Sequence, residues 1–371
     1  MSVHIRSIET AVPPTILRQP QARDLFAAQP GISRLGSRLI GAAFNASGID
    51  TRHTVVDELD QEEREGESVL YDARSQRVLD AGTAARNALY TARAPELFTE
   101  AARRALEAAS LSADDVTHVV TVSCTGFYAP GPDYQLVRRL GLAPTTQRFH
   151  LGFMGCYGAF PGLRAARSFC EADPGAVVLV VTVELCSIHL TSSNDPEQIV
   201  ATSVFADGAA AAVVTAREPA PGTPVLEIDA LASTLTPEGE DEMAWTIGDH
   251  GFTMRLSTYV PSIIGTNISG ALAPLLESRD LAVGDVERWA IHPGGRSILD
   301  RVQSALDLDD EQLQPSREVL RTNGNMSSAT VLFILRRLLH GDARDGERIA
   351  AMAFGPGLTV EMALLTRRDT P

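Results

Sequence analysis

The apolar residues of this chain fall into short continuous runs separated by stretches with helical spacing. Residues 116–123 and 176–183 are rich in β-branched side chains, which is typical of strands buried on both faces of a sheet. Residues 94–109 place alanines and leucines three and four positions apart, which predicts an amphipathic helix. Residues 148–153 are a further predicted strand, and residues 158–170 a helix after it. This alternation predicts an α/β fold with helices on both faces of the sheets.

The second half of the chain repeats this order of elements. Its main predicted strands and helices are residues 225–232, 289–292, 296–306, 328–339, 348–354 and 358–365. The proline-rich residues 218–224 are the best candidate for a linker, which divides the chain into halves 1–222 and 223–371. Residues 57–80 are heavily charged, and we expect them to be solvated.

Composition excludes several classes of function. The 371 residues carry 47 acidic and 32 basic side chains, a net charge of −15, which argues against general binding to nucleic acids or anionic membranes. No apolar run reaches the ~18 residues of a membrane span, and the N-terminus lacks a secretory pattern. The 4 cysteines include no CxxC pair, so we expect free thiols, no metal site and a cytoplasmic location.

Cys156 is the first candidate for chemistry, because it lies where a predicted strand meets a predicted helix. A thiol is nucleophilic as the thiolate, and the N-terminus of a helix lowers the thiol pKa. Gly152, Gly155 and Gly158 permit a tight corner and a close approach of the backbone. A free cysteine is more often buried and inert, but these flanking glycines favour a nucleophile here.

His292 follows a predicted apolar strand and precedes Pro-Gly-Gly. This places the imidazole at the carboxyl end of a strand, where open α/β sheets bind their ligands. An imidazolium close to Cys156 would lower the pKa of the thiol further. Taken by itself, a histidine in this position is more often a structural residue.

Asn325 lies in a segment whose residue types also suit a turn and a helix N-cap. If Ser327 or Ser328 serves as the cap, Asn325 is free to donate its amide hydrogens to a developing oxyanion. We therefore predict that Cys156, His292 and Asn325 form one site for acyl transfer and decarboxylative carbon–carbon bond formation.

Five motifs in order along the chain carry a resemblance to a known family. They are Phe-Met-Gly-Cys-Tyr-Gly at 153–158, Phe-Ala-Asp-Gly-Ala-Ala at 205–210, His-Pro-Gly-Gly at 292–295, Gly-Asn-Met-Ser-Ser-Ala at 324–329 and Phe-Gly-Pro-Gly-Leu-Thr-Val-Glu at 354–361. Together they resemble the chalcone synthase-like (type III) polyketide synthases, and in particular bacterial alkylpyrone and alkylresorcinol synthases. The resemblance spans nearly the whole chain and is weakest before residue 94. It implies a thiolase-like αβαβα layered fold made of two similar halves, and a homodimer.

The resemblance also implies a reaction. The N-terminal half supplies Cys156, which takes an acyl group from an acyl-CoA starter as a thioester. The C-terminal half supplies His292 and Asn325, which assist decarboxylation of malonyl-CoA to an enolate that attacks this thioester. Repeated extension ends in cyclisation to a pyrone or a resorcinol. The enzyme is then an acyltransferase that uses CoA thioesters as substrates and needs no metal or other cofactor.

The same resemblance assigns substrate-binding residues. Phe205 matches a gatekeeper phenylalanine, and Met254 replaces a second one. Because methionine is flexible, Met254 favours a fatty acyl starter. Gly295 and Arg296 follow the catalytic histidine motif and are also assigned to substrate binding. Further positions that align with the cavity lining are Cys124, Thr125, Cys186, His189, Trp245 and Ser327, with core packing an equal role for the two cysteines.

One departure from the family concerns the CoA phosphates. The basic cluster that holds them aligns with residues 39–46, where this chain has Leu39, Ala42 and Ala46. Either other cations replace that cluster or an acyl carrier protein delivers the acyl group. The candidate cations are Arg34, Arg38, Arg52 and Arg296.

Two other functions remain open at this point. A ketoacyl-ACP synthase III has the same fold and the same Cys-His-Asn chemistry but stops after one condensation. A catalytically inactive acyl-CoA-binding scaffold would keep the fold without the reaction. The intact set of three residues favours an enzyme, and the His-Pro-Gly-Gly and Asn-Met-Ser-Ser-Ala motifs favour the polyketide synthase.

Overall fold

The computed structural model describes residues 2–59 and 69–369. Its strands are β1 (His4–Ala11), β2 (Thr15–Arg18), β3 (Thr51–Thr54), β4 (Tyr71–Asp72), β5 (Arg77–Val78), β6 (His118–Ser123), β7 (Gln147–Gly152), β8 (Val177–Leu185), β9 (Asp207–Thr215), β10 (Pro224–Leu235), β11 (Met243–Gly248), β12 (Gly251–Leu256), β13 (Arg288–Ile291), β14 (Arg348–Gly355) and β15 (Thr359–Asp369). Its helices are α1 (Gln19–Ala27), α2 (Arg34–Ala46), α3 (Thr83–Ala108), α4 (Pro132–Leu140), α5 (Ala159–Ala172), α6 (Pro196–Val204), α7 (Val260–Glu277), α8 (Arg296–Leu306), α9 (Asp310–Asn323) and α10 (Thr330–His340). Part of the charged segment that we expected to be solvated, residues 60–68, lies outside the described residues.

The main sheet of the described residues has the strand order β13-β14-β15-β10-β1-β9-β8-β6-β7. In the first half β6 and β8 are parallel, while β9 is antiparallel to both β8 and β1. In the second half β13 and β14 are parallel, while β15 is antiparallel to both β14 and β10. The two halves therefore share one arrangement of strands, to which the first half adds the edge strand β7, and they meet where β1 and β10 pair at His4↔Glu227 and Ile5↔Leu226.

The apolar core shows how the layers are stacked. Phe160 and Leu163 of α5 and Leu332 and Leu335 of α10 lie in one buried cluster with strand residues from both halves. These two helices thus form the middle layer. Helix α3 covers the outer face of the first half, and α7 and α8 cover the outer face of the second half. The five layers confirm the predicted αβαβα fold.

Tertiary packing extends one helix well beyond its predicted start. The amphipathic pattern predicts a helix at 94–109, and α3 instead begins at Thr83 and contains Pro95. Its added turns are fixed by Arg86 and Tyr90, whose side chains are fully buried. Within the ranges 2–59 and 69–369, no helix has the length and apolar character that crossing a bilayer requires.

Candidate active site

Cys156 lies in a single 3-10 turn, Gly155–Tyr157, between the end of β7 and the start of α5. The turn needs glycine at position 155, because its φ is +75° and a Cβ there would lie 2.4 Å from Cδ of Pro356. Pro356 belongs to the 354–361 motif, so two of the sequence motifs meet at the turn that carries the thiol. The cysteine itself is buried, with 7% of its surface exposed.

His292 follows β13 directly, as the apolar pattern predicts. Its backbone N–H donates to the carbonyl of Met352 at 2.8 Å, which continues the pairing between β13 and β14. The side chain is buried, and neither ring nitrogen has a hydrogen-bond partner within the part of the chain that the structure describes. Buried polar atoms are normally paired, so this imidazole has both nitrogens available for a ligand.

Asn325 lies between α9 and the turn that precedes α10. Its Oδ1 accepts from the backbone N–H of Ser327 at 2.8 Å, and its Nδ2 donates to the carbonyl of Gly294 at 3.3 Å. The side chain therefore makes the local turn with its oxygen and keeps a second amide hydrogen for another acceptor. Gly294 is part of the His292 motif, so this bond also joins the two motifs.

The proposed cap by serine is wrong. The hydroxyl of Ser328 donates to the buried carboxylate of Glu184, and the hydroxyl of Ser327 lies 3.2 Å from Sγ of Cys124. Neither serine caps α10. Both hydroxyls instead join the polar network behind the thiol, because the turn points their side chains inward, where both are buried.

One cavity of about 530 Å³ brings Cys156, His292 and Asn325 together. Phe205 and Met254 also line it, as do Gly295, Arg296 and residues of α2 and α7. A cavity of this size suits a small-molecule substrate rather than a single ion or water molecule. Cys156 lies more than 100 positions before both His292 and Asn325 in the sequence, and the fold brings all three side chains to one cavity.

The other predicted lining residues surround a second, much smaller cavity of about 30 Å³. These residues are Cys124, Thr125, Cys186, His189, Trp245 and Ser327. Phe205 and Met254 line both cavities, so they form the partition between them.

His189 and Trp245 are held in place by hydrogen bonds to the backbone. His189 Nε2 donates to the carbonyl of Thr125 at 2.7 Å, and Nδ1 accepts from the N–H of Phe252 at 3.0 Å. Trp245 Nε1 donates to the carbonyl of Cys124 at 2.6 Å. Burial lowers the pKa of His189 to about 4. With both nitrogens engaged, His189 shapes the small cavity and is not available as an acid or base.

Burial controls the pKa values of the two ionisable groups in the large cavity. It raises the pKa of Cys156 to about 12, against hydrogen bonds from Ser327 and Asn325 that lower this pKa. It lowers the pKa of His292 to about 3. The prediction of a low thiol pKa is therefore wrong when Cys156 ionises without a change at His292. Loss of hydration raises the thiol pKa by more than the helix N-terminus lowers it.

Glu184 is a site residue that the sequence interpretation missed. It is the last residue but one of β8, is fully buried, and accepts from Thr125 Oγ1 at 2.8 Å and from the N–H of Cys124 at 3.0 Å. Burial raises the pKa of this carboxyl group, and its hydrogen bonds oppose that rise. The available signal was an acidic residue inside the most apolar strand of the chain, since such a group is buried only with partners.

The candidate cations for CoA phosphates are placed differently from one another. Arg52 is 1% exposed and donates to backbone carbonyls, so it is excluded as a phosphate ligand. Arg34 and Arg38 are exposed on α2 but do not line the large cavity. Arg296 does line it, is largely exposed, and lies 3.6 Å from Asp300.

Comparison with known proteins agrees with this geometry. The model of "Chalcone and stilbene synthases, N-terminal domain" matches residues 4–219, and the model of the C-terminal domain matches residues 227–368. A protein of Dictyostelium discoideum described as a polyketide synthase is 33% identical over 73% of this chain. The chain spans only 9% of the length of that relative.

Two solved structures match the chain over almost its full length. The crystal structure of PKS-I from the brown alga Ectocarpus siliculosus has a TM-score of 0.91 at 31% identity, covering 99% of this chain and 98% of that one. The C-terminal type III polyketide synthase domain of Steely1, a type I/III hybrid from Dictyostelium, has a TM-score of 0.90 at 28% identity, covering 99% of each. The chain belongs to the chalcone and stilbene synthase family, that is, to the type III polyketide synthases.

Proposed function

We propose that this protein is an acyltransferase that condenses malonyl-CoA repeatedly onto an acyl group held on Cys156. The observation that carries the proposal is the single cavity of about 530 Å³ lined by Cys156, His292 and Asn325. A thiol, a free imidazole and an amide donor are the groups that thioester exchange and enolate formation require. The proposal concerns the activity of this chain, beyond its membership of the family.

The first step is transfer of the starter to the enzyme. Sγ of Cys156 attacks the carbonyl carbon of the acyl-CoA, the bond to the CoA sulfur breaks, and CoA leaves. The thiol proton passes through His292 to the departing CoA thiolate. Burial opposes ionisation of the Cys156 thiol and protonation of the His292 imidazole when either occurs without the other. Transfer of the proton from thiol to imidazole creates both charges in one cavity, where their attraction and the N-terminus of α5 offset the loss of hydration.

The second step forms the carbon–carbon bond. The carboxylate of malonyl-CoA leaves as carbon dioxide, and its bonding electrons form an enolate whose oxygen is stabilised by hydrogen bonds from Asn325 and His292. The enolate carbon attacks the thioester carbonyl, and the thiolate of Cys156 leaves. Transfer of the extended chain back to Cys156 permits another round. Preorganised donors in a site sheltered from water give this stabilisation its strength.

Replacing His292 by glutamine is expected to raise the pH at which Cys156 becomes reactive, by about 1–3 units. In the wild type, ionisation of the thiol is coupled to protonation of the imidazole. Without that cation, the thiol ionises singly, and burial raises its pKa toward about 12. The measurement is the rate of iodoacetamide labelling of Cys156 from weakly acidic to alkaline pH.

The control for this measurement is His340→Gln, which replaces a histidine in the last turn of α10 that does not line the cavity. Its labelling profile should match the wild type. An unchanged midpoint in His292→Gln would show that the imidazole does not pair with the thiol.

We infer that the starter is a fatty acyl group and that the product is a pyrone or a resorcinol. Support comes from Met254, whose flexible side chain lies in the partition between the two cavities. A rigid ring at this position would leave less room for an alkyl chain passing the partition.

Met254→Phe is expected to lower kcat/KM for long acyl starters about tenfold and to affect acetyl-CoA little. The reason is steric, because the residue contacts the cavities and is not assigned to the chemistry. Product formation from a series of starters, followed by mass spectrometry, measures the effect. Met254→Leu, which keeps an aliphatic side chain, is the control, and an equal loss for all starters would argue against a role in selection.

Mass spectrometry of the products also separates the proposal from its rivals. Incubation with a fatty acyl-CoA and malonyl-CoA should give a cyclised product with several added two-carbon units. A linear β-ketoacyl product with one added unit would indicate a ketoacyl synthase III-like enzyme. Acyl-CoA binding without any product would indicate the inactive scaffold.

The exposed residues that line the large cavity bear on how the acyl group arrives. Ala43 and Ala46 of α2 line the cavity, and so do the exposed Arg296 and Arg301 of α8. We infer that acyl-CoA and malonyl-CoA enter here with Arg296 and Arg301 facing the phosphates.

Arg301→Ala should then raise KM for malonyl-CoA. A KM that is lower for malonyl groups on an acyl carrier protein than for malonyl-CoA would instead identify the carrier as the donor.

We also propose a homodimer that forms through β7. This strand pairs with β6, and its other edge is unpaired within the described residues. Three large apolar side chains at or next to this strand are exposed: Phe149 on β7 itself, Tyr134, whose ring lies 5.5 Å from the guanidinium carbon of Arg148 on β7, and Phe127, whose ring lies 6.0 Å from that of Phe153. Unpaired edges of this kind are open to pairing with a second chain.

Phe149→Glu is therefore expected to convert the dimer to a monomer, because it places a charge in the buried interface. Light scattering after gel filtration measures the molar mass. Leu235→Glu, which changes an apolar residue on β10 that is 71% exposed against 38% for Phe149, should leave the dimer intact. A monomeric wild-type protein would contradict the proposal.

A further inference from the structure

The partition residue Phe205 follows directly on the end of helix α6. A helix leaves its last four carbonyl groups without partners inside the helix. Here Nη1 of Arg52 donates to the carbonyl of Thr202 at 2.8 Å and to the carbonyl of Phe205 at 2.7 Å. One guanidinium nitrogen on β3 thus holds both the last turn of α6 and the residue after it.

Two further groups hold the same short segment. Nε2 of Gln19 donates to the carbonyl of Ser203 at 2.7 Å. The backbone N–H of Asn325 donates to the carbonyl of Val204 at 2.8 Å. The carbonyl of Asn325 in turn accepts from the N–H of Ala206 at 2.9 Å. The partition and the proposed catalytic amide are therefore parts of one hydrogen-bonded unit.

Arg52 is packed between these two segments. Its side chain is 1% exposed, and a Cβ on Gly324 would lie 2.8 Å from Cγ of Arg52. Burial lowers the pKa of Arg52 to about 10, so the guanidinium is still charged at neutral pH. A positive charge at the C-terminus of α6 is also favoured by the helix dipole.

We infer that Arg52 is a positioning residue that fixes Phe205 against Asn325 and thereby limits the size of the acyl chain that passes between the two cavities. This inference rests on the proposed function. Loss of the guanidinium leaves the carbonyl groups of Thr202 and Phe205 without their long-range donor. The ring of Phe205 then gains freedom, and the passage widens.

The test is Arg52→Met, which keeps an unbranched side chain and removes the charge and the donors. We expect the ratio of kcat/KM for the longest to the shortest starter to rise about tenfold, with a higher share of products that carry more extensions. Iodoacetamide labelling of Cys156 should proceed at the wild-type rate, because the thiol turn is not held by Arg52. Product ratios and relative KM values do not depend on how much of the enzyme is folded. They therefore report the position of Phe205 and not the stability of the variant.

Arg367→Met is the matched control, since Arg367 is also a buried arginine that donates to a backbone carbonyl but lies on β15 away from the cavities. Arg52→Lys keeps the charge but can donate to fewer of the carbonyl groups. It should therefore shift the starter and product ratios in the same direction as Arg52→Met, but by a smaller amount. If Arg52→Met does not fold, the lysine variant decides. Starter and product ratios equal to those of the wild type would overturn the inference, whereas a wild type that forms no polyketide would instead refute the proposed function.

Discussion

Cys156→Ala should form no polyketide, with a loss of more than about 10³-fold, because Cys156 is the one thiol among the described residues that line the cavity. Decarboxylation of malonyl-CoA should continue in this variant, since that step depends on His292 and Asn325. The two activities are measured separately, as polyketide by mass spectrometry and as acetyl-CoA by chromatography. Retained decarboxylation would also show that the variant is folded.

The matched control is Cys170→Ala. Cys170 is a fully buried thiol within α5 whose Sγ lies 3.6 Å from the carbonyl of Val214, and it does not line the cavity. Its replacement should leave both activities close to those of the wild type. Polyketide formation by Cys156→Ala at the wild-type rate would contradict the covalent mechanism.

Asn325→Asp should lower decarboxylation of malonyl-CoA by about 10²–10³-fold. The side chain has two roles in the structure, since Oδ1 accepts from the N–H of Ser327 and Nδ2 donates. Aspartate keeps an acceptor for Ser327 but removes the amide donors, and its charge repels the enolate. The variant should therefore lose activity and keep its turn, which thermal unfolding and acetyl-CoA release measure together.

Asn325→Ala removes both roles and should cost about 1 kcal/mol of stability in addition, because the N–H of Ser327 loses its acceptor. Asn323→Asp makes the same chemical change at a position outside the cavity and should leave activity intact. If Asn325→Asp decarboxylates malonyl-CoA like the wild type, the amide does not stabilise the enolate, and its role is confined to the turn.

Much of the fold follows from local patterns. The continuous β-branched runs predict β6 and β8 because a strand covered on both faces has no polar side to show, and both strands are buried along their whole length. The glycine-flanked Cys156 is also placed correctly before α5, because the positive φ of the corner is a local requirement for glycine at position 155. The pattern could not predict the start of α3, which depends on the burial of Tyr90.

The roles of the charged residues could not be predicted in this way. Arg52 looks from the sequence like a cation for phosphates, and the structure buries it against Phe205. Glu184 looks like the end of an apolar strand, and the structure surrounds it with donors from two segments of the chain, residues 124–125 and Ser328. Burial depends on residues far away in the sequence, so charge patterning along the chain does not reveal it.

The sequence by itself determined the main strands, the turn at Cys156 and the family, because each depends on neighbouring residues or on motifs that can be read in order. Tertiary structure alone decided that Cys156, His292 and Asn325 share one cavity, that Phe205 and Met254 divide it from a smaller one, and that the thiol pKa is raised. The physical reason is that hydration and contact are set by whatever the fold brings close in space, and those groups come from segments that are distant along the chain.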